Sequence, residues 1–300
     1  MPKRKIKKHS KSSKKSETHK IAYVGTAIIL IIISGSFLLG ILIGFNKGSA
    51  GSQFSRPPRI ATAREIEPII SPPLGDVRIP ILIYHYVEFV KNHRDTIRKS
   101  LDIIPPIFEN QIKTLRGAGY NFIMAGDLGL YLDGKKPLPQ NPVILTFDDG
   151  YEDFYTDVFP ILKRHNIVAT AYIISGVLGR PNYMTLKQVE TIASSGLVEI
   201  GAHSVHHPNL KPLSKREAES EINKSKEMLE SELGIKVVSF AYPYGGYSDE
   251  TAMLVKKAGF TNAVGTRGGL VVNQQNRFTL FRIHPGIAVG EELLKEIRIY

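Results

Sequence analysis

Apolar and polar positions divide the chain into three regimes. Ile21–Asn46 (IAYVGTAIILIIISGSFLLGILIGFN) contains no charged residue. About 20 apolar residues cover a ~30 Å hydrocarbon core, so this stretch predicts one transmembrane helix. Residues 47–77 are rich in Gly, Ser and Pro and read as a stalk. From Arg78 onward, short β-branched runs alternate with helical periodicity. Ile79–His85 reads as a strand. Pro106–Gly119 reads as a helix with Phe108, Ile112 and Leu115 on one face, and Asn121–Met124 as a short strand. Pro142–Phe147 (PVILTF) is a continuous apolar strand of the buried parallel kind. Helix is then expected over Phe154–His165, strand over Ala169–Ile174, helix over Thr185–Ser194 and strand over Leu197–His203. Ser214–Leu233 is a long helix opened by a capping box, Ser214 with Glu217. Val237–Ala241 (strand), Asp249–Ala258 (helix), Asn262–Gly265 and Phe281–His284 (strands) complete the alternation. About 220 residues of this pattern predict an α/β protein, built as a parallel barrel or an open doubly wound sheet. The expected organisation is a tail over 1–20, a membrane segment over 21–46, a stalk over 47–77 and a globular domain over 78–300.

Charge settles the orientation of the apolar stretch. The chain has 300 residues and a formal net charge of +11. Residues 1–20 hold nine Lys/Arg and one acid, which leaves 30 bases and 27 acids on everything after them. Basic flanks stay on the cytoplasmic side, so the N-terminus is expected inside and the globular domain outside. A cleaved signal peptide also starts positive, but its apolar region is only about 7–15 residues. The longer run here favours an uncleaved anchor, although Gly48-Ser49-Ala50-Gly51 resembles a cleavage site. A basic arm for nucleic acid is the weaker reading beside a membrane span, and no nucleic-acid partner is expected. Gly40-x-x-x-Gly44 matches a helix-dimer motif, a weak signal that leaves the oligomeric state open. The chain has no cysteine. That excludes disulfide scaffolds, thiol nucleophiles and thiolate metal sites.

In parallel α/β proteins chemistry gathers at the C-terminal ends of strands. Asp148-Asp149-Gly150 follows PVILTF. Alone it also fits a surface turn, but a turn at Gly150 would let both carboxylates line one pocket. His203-Ser-Val-His-His207-Pro208 follows LVEIGA. His203 and His207, four positions apart, suit a divalent cation, with His206 a competing ligand by composition. Tyr242-Pro243-Tyr244-Gly245-Gly246 follows VVSFA and reads as a tight turn or as a groove wall with free N–H groups. One Asp and two His leave metal positions open for activating water, and a second carboxylate beside them can act as base.

Taken together and in that order, Thr146-Phe-Asp-Asp-Gly150, His203-Ser-x-x-His207-Pro208 and Tyr242-Pro-Tyr-Gly245 resemble the NodB-homology polysaccharide deacetylases over roughly residues 78–286. Ile83-Tyr-His-Tyr-Val87, Phe108-Glu-Asn-Gln111 and Gly119-Tyr120 are similar to the poly-N-acetylglucosamine deacetylase branch. The resemblance implies a distorted (β/α) barrel, here preceded by one transmembrane helix, that removes acetyl groups from sugars with a divalent metal. It implies Asp148 as general base and Asp149, His203 and His207 as metal ligands. It places the Tyr244 N–H, beside Pro243, at the oxyanion. His85 would be the general acid, with His284 the alternative. The family's Arg two residues before the Pro of the third motif is Ala241 here, and Arg282 is the substitute considered for orienting the base. The family's groove Trp is also absent.

The expected reaction is therefore hydrolysis of acetamide groups on an N-acetylglucosamine-containing surface glycan, giving amine and acetate. The metal is expected to be Zn²⁺, with Co²⁺, Ni²⁺ or Fe²⁺ accommodated by the same ligands. The bilayer is the partner of residues 21–46. Poly-N-acetylglucosamine, peptidoglycan and chitin are not separated by the motifs. Alternatives are an O-acetyl esterase on xylan-type glycan and a glycan-binding barrel impaired in catalysis, the latter suggested by Ala241.

Overall fold

The computed structural model describes residues 75–90 and 94–299. The tail, the apolar segment and nearly all of the stalk lie outside the described residues. Among the described residues no helix is long and apolar enough to cross a membrane.

The framework is one parallel sheet. Its strands are β2 (Ile81–Tyr84), β5 (Asn121–Ile123), β6 (Pro142–Phe147), β7 (Ala169–Ile173), β8 (Val198–Ala202), β9 (Ser239–Ala241) and β10 (Asn262–Val264), hydrogen-bonded in the order β10-β9-β8-β7-β6-β2. β6 is central because it offers an unbroken apolar run, buried from Val143 to Phe147. Its edge opposite β2 is shared: β5 takes Pro142–Ile144 and β7 takes Thr146–Phe147. The sheet curls. Leu280–Ile283 bridges its two outer strands, pairing Leu280 with Val264 and Ile283 with Leu82, both in parallel. This segment was expected as a full strand, Phe281–His284. It makes only isolated bridges, and Pro285, without an N–H, follows directly.

Short pairs decorate the curl. β1 (Val77–Arg78) is antiparallel to β11 (Val271–Val272), so the sheet structure begins one residue before the expected domain start. β3 (Tyr86–Val87) pairs with β4 (Asp102–Ile103), and between them runs α1 (Thr96–Leu101), which buries no residue. The remaining helices are α2 (Pro105–Gly117), α3 (Ala125–Leu132), α4 (Phe159–His165, continuing a π-turn at Phe154–Val158), α5 (Leu186–Ala193), α6 (Lys215–Leu233), α7 (Asp249–Lys257) and α8 (Gly290–Ile299). Local chemistry sets several of their ends. Thr185 with Gln188, Ser214 with Glu217 and Ser248 with Thr251 form reciprocal caps. Gly234 stops α6 at φ +63°, a left-handed conformation that glycine adopts freely. Buried side chains form two clusters, a smaller one around Ile81, Ile144, Tyr172 and Val264 and a large one of sheet and helix residues. Beside β2 and β6 it is aromatic, with Tyr84 stacked on Phe147 at 5.0 Å and Phe108 edge-on to both.

One buried carboxylate makes this framework sensitive to pH. Glu199 accepts hydrogen bonds from Ser239 Oγ (2.6 Å) and from the N–H of Gly126, in the first turn of α3 (2.7 Å). Burial nevertheless pushes its pKa up from 4.5 to about 7. A raised carboxyl pKa in the folded state means stability that is full in mild acid and declines as the pH rises from about 4.5 to 7. A thermal melting series over that range should show the decline in the native protein and a shallower one in Glu199→Gln.

Candidate active site

Five segments leave the sheet at the same end and bring their next residues together. His85 follows β2, Asp148 and Asp149 follow β6, His203 follows β8, Tyr242–Gly246 follows β9, and Arg282 and His284 lie on and just after the closing segment.

The two adjacent aspartates can share a pocket because the backbone turns between them. Asp149 has φ +75° and Gly150 φ +79°, and the Gly150 N–H donates to Asp148 O at 3.0 Å. The alternation that would send the two carboxylates to opposite faces of a strand is broken there. Ser204 (φ +61°), His207 (φ +61°) and Tyr244 (φ +57°) are also left-handed. Four such non-glycine residues at one spot represent stored backbone strain, which folds tolerate chiefly at functional sites.

Asp149, His203 and His207 converge. His203 Nε2 and His207 Nε2 lie 3.4 and 3.2 Å from Asp149 Oδ1, and 3.2 Å from each other. The tautomer of His203 follows from its other nitrogen. Nδ1 lies 2.7 Å from Ala241 O; a carbonyl only accepts, so Nδ1 carries the proton and the Nε2 lone pair faces the cluster. Burial opposes charge on His203, but Asp148 and Asp149 outweigh it and raise its pKa. The focus that favours a proton at Nε2 favours a cation as well. His207 goes the other way: burial and the neighbouring His203 lower it to about 4, so it is neutral at pH 7 with a lone pair to give. Asp149 Oδ1 is buried without a hydrogen-bond partner. An orphaned carboxylate oxygen beside two imidazole nitrogens, all within 4.8 Å, fits a divalent cation with open positions. His206, the competing ligand by composition, turns away and binds Glu221 Oε1 at 2.7 Å.

Asp148 stands next to this trio, its Oδ2 4.0 Å from His203 Nε2. Arg282, 0% exposed, grips both its oxygens at 2.7 Å and is held in turn by Gly265 O (2.6 Å) and Thr146 Oγ1 (3.1 Å). Burial pushes the Asp148 carboxyl up, but Arg282 and His203 more than reverse this and hold it well below the usual carboxylate range. With Ala241 at the end of β9, the guanidinium at Asp148 comes from the closing segment.

His85 and His284 lie ring over ring at 6.0 Å and 3°. His85 is half-buried; burial lowers its pKa, partly offset by Asp148 and Asp149. His284 is more exposed, yet the partial burial of its ring, with His85 and Arg282 nearby, lowers its pKa too. Pro243 is buried and Tyr244 is 69% exposed, its ring 4.5 Å from that of His207. The turn's own hydrogen bonds use the N–H groups of Gly245 and Gly246 and not that of Tyr244.

Two features escaped the sequence reading. Tyr86, Tyr151 and Tyr183 stack in series at 4.0 and 5.1 Å. They form an aromatic wall starting two residues after Asp149, in a chain with no Trp. Asp153 is buried and accepts the Val87 N–H at 2.7 Å. The Tyr directly after Asp-Asp-Gly was the one local signal for the wall. Nothing local marks Asp153, whose partner is 66 residues away.

The family model described as polysaccharide deacetylase matches residues 135–263. A poly-beta-1,6-N-acetyl-D-glucosamine N-deacetylase of Staphylococcus aureus is 28% identical over 232 residues, covering 73% of this chain and 79% of its own. The deacetylase PplD of Streptococcus pyogenes, solved in complex with acetate, superposes with a TM-score of 0.69 at 30% identity, covering 74% of this chain and 99% of that one. IcaB of Ammonifex degensii superposes at 0.64 with 25% identity, covering 75% and 97%.

Proposed function

The chain belongs to the polysaccharide deacetylase family, and on that premise we propose that it is a metal-dependent N-deacetylase of an N-acetylglucosamine-containing glycan, held at the outer face of the cell membrane by residues 21–46. The observation that carries the reading is the Asp148–Arg282 pair placed against the Asp149–His203–His207 focus. Arg282 speaks for turnover over the glycan-binding alternative, whose ground was the missing Arg at Ala241.

Asp149, His203 and His207 would hold the metal. Bound there, zinc would lower the pKa of water and polarise the acetyl carbonyl. Asp148 remains ionised at any working pH and accepts the proton of the attacking water. Arg282 fixes which carboxylate lone pairs face the water. The Tyr244 N–H is free of the turn's hydrogen bonds and is assigned to the oxyanion. His85 feels both carboxylates and is assigned to protonate the departing amine; His284, more exposed, is its alternative. The similarity to the S. aureus poly-beta-1,6-N-acetyl-D-glucosamine deacetylase favours that polymer as substrate. Free amines on it would change its adhesion to anionic surfaces.

The test uses the full chain in detergent. It should release acetate from poly-N-acetylglucosamine oligomers, lose this activity to a chelator and regain it with added zinc. His203→Ala should bind no zinc and stay inactive. Activity that survives complete metal removal would refute the reading.

A further inference from the structure

His85 occupies a break between β2 and β3, so the placement of its ring depends on what holds those two strands. Ahead of it, the Asp148 N–H donates to Tyr84 O at 3.0 Å. Behind it, the Val87 N–H donates to Asp153 Oδ2 at 2.7 Å, and the Tyr86 ring stacks on Tyr151 at 4.0 Å. All three ties run to one stretch, 148–153, which also carries Asp148 and Asp149. The histidine and the two aspartates are thereby locked to a common frame, though they come from distant parts of the sequence.

Asp153 is the costly member of this frame. It is 5% exposed, and its Oδ1 is buried without a hydrogen-bond partner. A buried carboxylate with an unused oxygen is unfavourable, and a neutral acceptor would satisfy a single N–H. Burial pushes the Asp153 carboxyl up to about 7, yet its Oδ2 still takes the Val87 N–H in a short bond of 2.7 Å, which fixes the backbone just behind His85.

We propose that Asp153 is a positioning residue of the hydrolytic site, holding His85 where it can pass a proton to the nitrogen that leaves. This rests on the deacetylase reading above. In that reaction the water oxygen bonds to the acetyl carbon and the C–N bond breaks. Asp148 takes the water proton, and the nitrogen takes the proton of His85 and departs as the amine. An amide nitrogen needs that proton. An aryl acetate does not, because its phenolate is a stable leaving group. A fault confined to His85 therefore slows acetamide cleavage and spares aryl ester cleavage, whereas a damaged fold or a lost metal slows both.

The experiment measures both reactions with the zinc-loaded full chain: acetate release from a poly-N-acetylglucosamine oligomer, and hydrolysis of 4-nitrophenyl acetate. Asp153→Ala should lower kcat on the oligomer by about tenfold or more, with KM changed by less than about threefold and ester hydrolysis within about twofold. His85→Ala should show the same split. Asp153→Asn keeps an oxygen for the Val87 N–H and should recover most of the oligomer activity. The proposal is overturned if Asp153→Ala leaves the oligomer reaction intact, if both reactions fall in parallel, or if Asp153→Asn is as impaired as Asp153→Ala. A native protein that cleaves the ester but releases no acetate from the oligomer overturns the deacetylase reading itself, and the proposal with it.

Discussion

Acetate release by Asp148→Asn is expected to fall by roughly 10²–10⁴-fold, the usual contribution of a positioned proton acceptor, while zinc content stays near that of the native protein. The two halves of this expectation come from different atoms. The converging donors are Asp149 Oδ1 and the two Nε2 atoms, and Asp148 is not among them; its closest approach to His203 Nε2 is 4.0 Å. Asn therefore leaves the three donors in place but has no lone pair basic enough to take the proton of water. A carboxylate held far below its ordinary pKa is a weak base, and this is consistent with the role. A metal held beside it would bring water toward neutrality, so the base need not be strong to accept the proton, but it must be there. Being ionised at every working pH then matters more than basicity. Asn also leaves the buried Arg282 charge without its anion, so the variant should melt lower as well. Atomic absorption and acetate release on the same preparation check the expectation. Loss of zinc in step with activity would mean that Asp148 belongs with the ligands.

How much of this was legible in the sequence depended on how local each signal was. Asp148-Asp149 directly follow the apolar run PVILTF, His203 directly follows LVEIGA and His207 stands four positions on, so both their place and their chemistry could be read. The helices with reciprocal caps, α5 to α7, were legible for the same reason. α3 was not: two of its eight residues are Gly, and its start is completed by Glu199 from another strand reaching Gly126. α8 had a readable face in Leu293, Leu294 and Ile297 and was passed over. Composition alone left His206 beside His207; the resemblance chose His207, and the structure brings His207 to the cluster while His206 pairs with Glu221. Arg282 was named only as a substitute for the missing Arg, and its pairing with Asp148 across 134 residues, like the tyrosine wall and the Asp153 tie, forms only once the sheet has curled and Leu280–Ile283 has closed it. No window of sequence contains them.

Arg282→Met is expected to be the most destabilising substitution at the site and to move the acid limb of the pH–activity profile upward. Removing one partner of a buried ion pair costs about 3–5 kcal/mol. For a domain of this size that lowers the melting temperature by on the order of 10 °C. The activity shift follows from what Arg282 opposes. Burial alone pushes Asp148 up; the guanidinium, with His203, drives it down. Without the guanidinium the carboxyl takes up its proton at higher pH, and a protonated Asp148 accepts none from water. The stability sign runs the same way. A carboxyl with a depressed folded pKa contributes stability that is full above its unfolded pKa and is lost progressively as the pH falls from there to the folded value. The native protein therefore loses that contribution only below the usual carboxylate range. The variant instead gains relative to it as falling pH neutralises the unpaired Asp148, so the difference in melting temperature should be largest at neutral pH and narrow in acid. Arg282→Lys separates charge from shape. One ammonium cannot grip both oxygens, so the lysine variant should keep the low acid limb better than Met while still losing turnover. An acid limb that does not move in Arg282→Met would assign the ionisation of Asp148 to the neighbouring Asp149–His203–His207 focus and the cation it would hold, and leave Arg282 a purely structural cation.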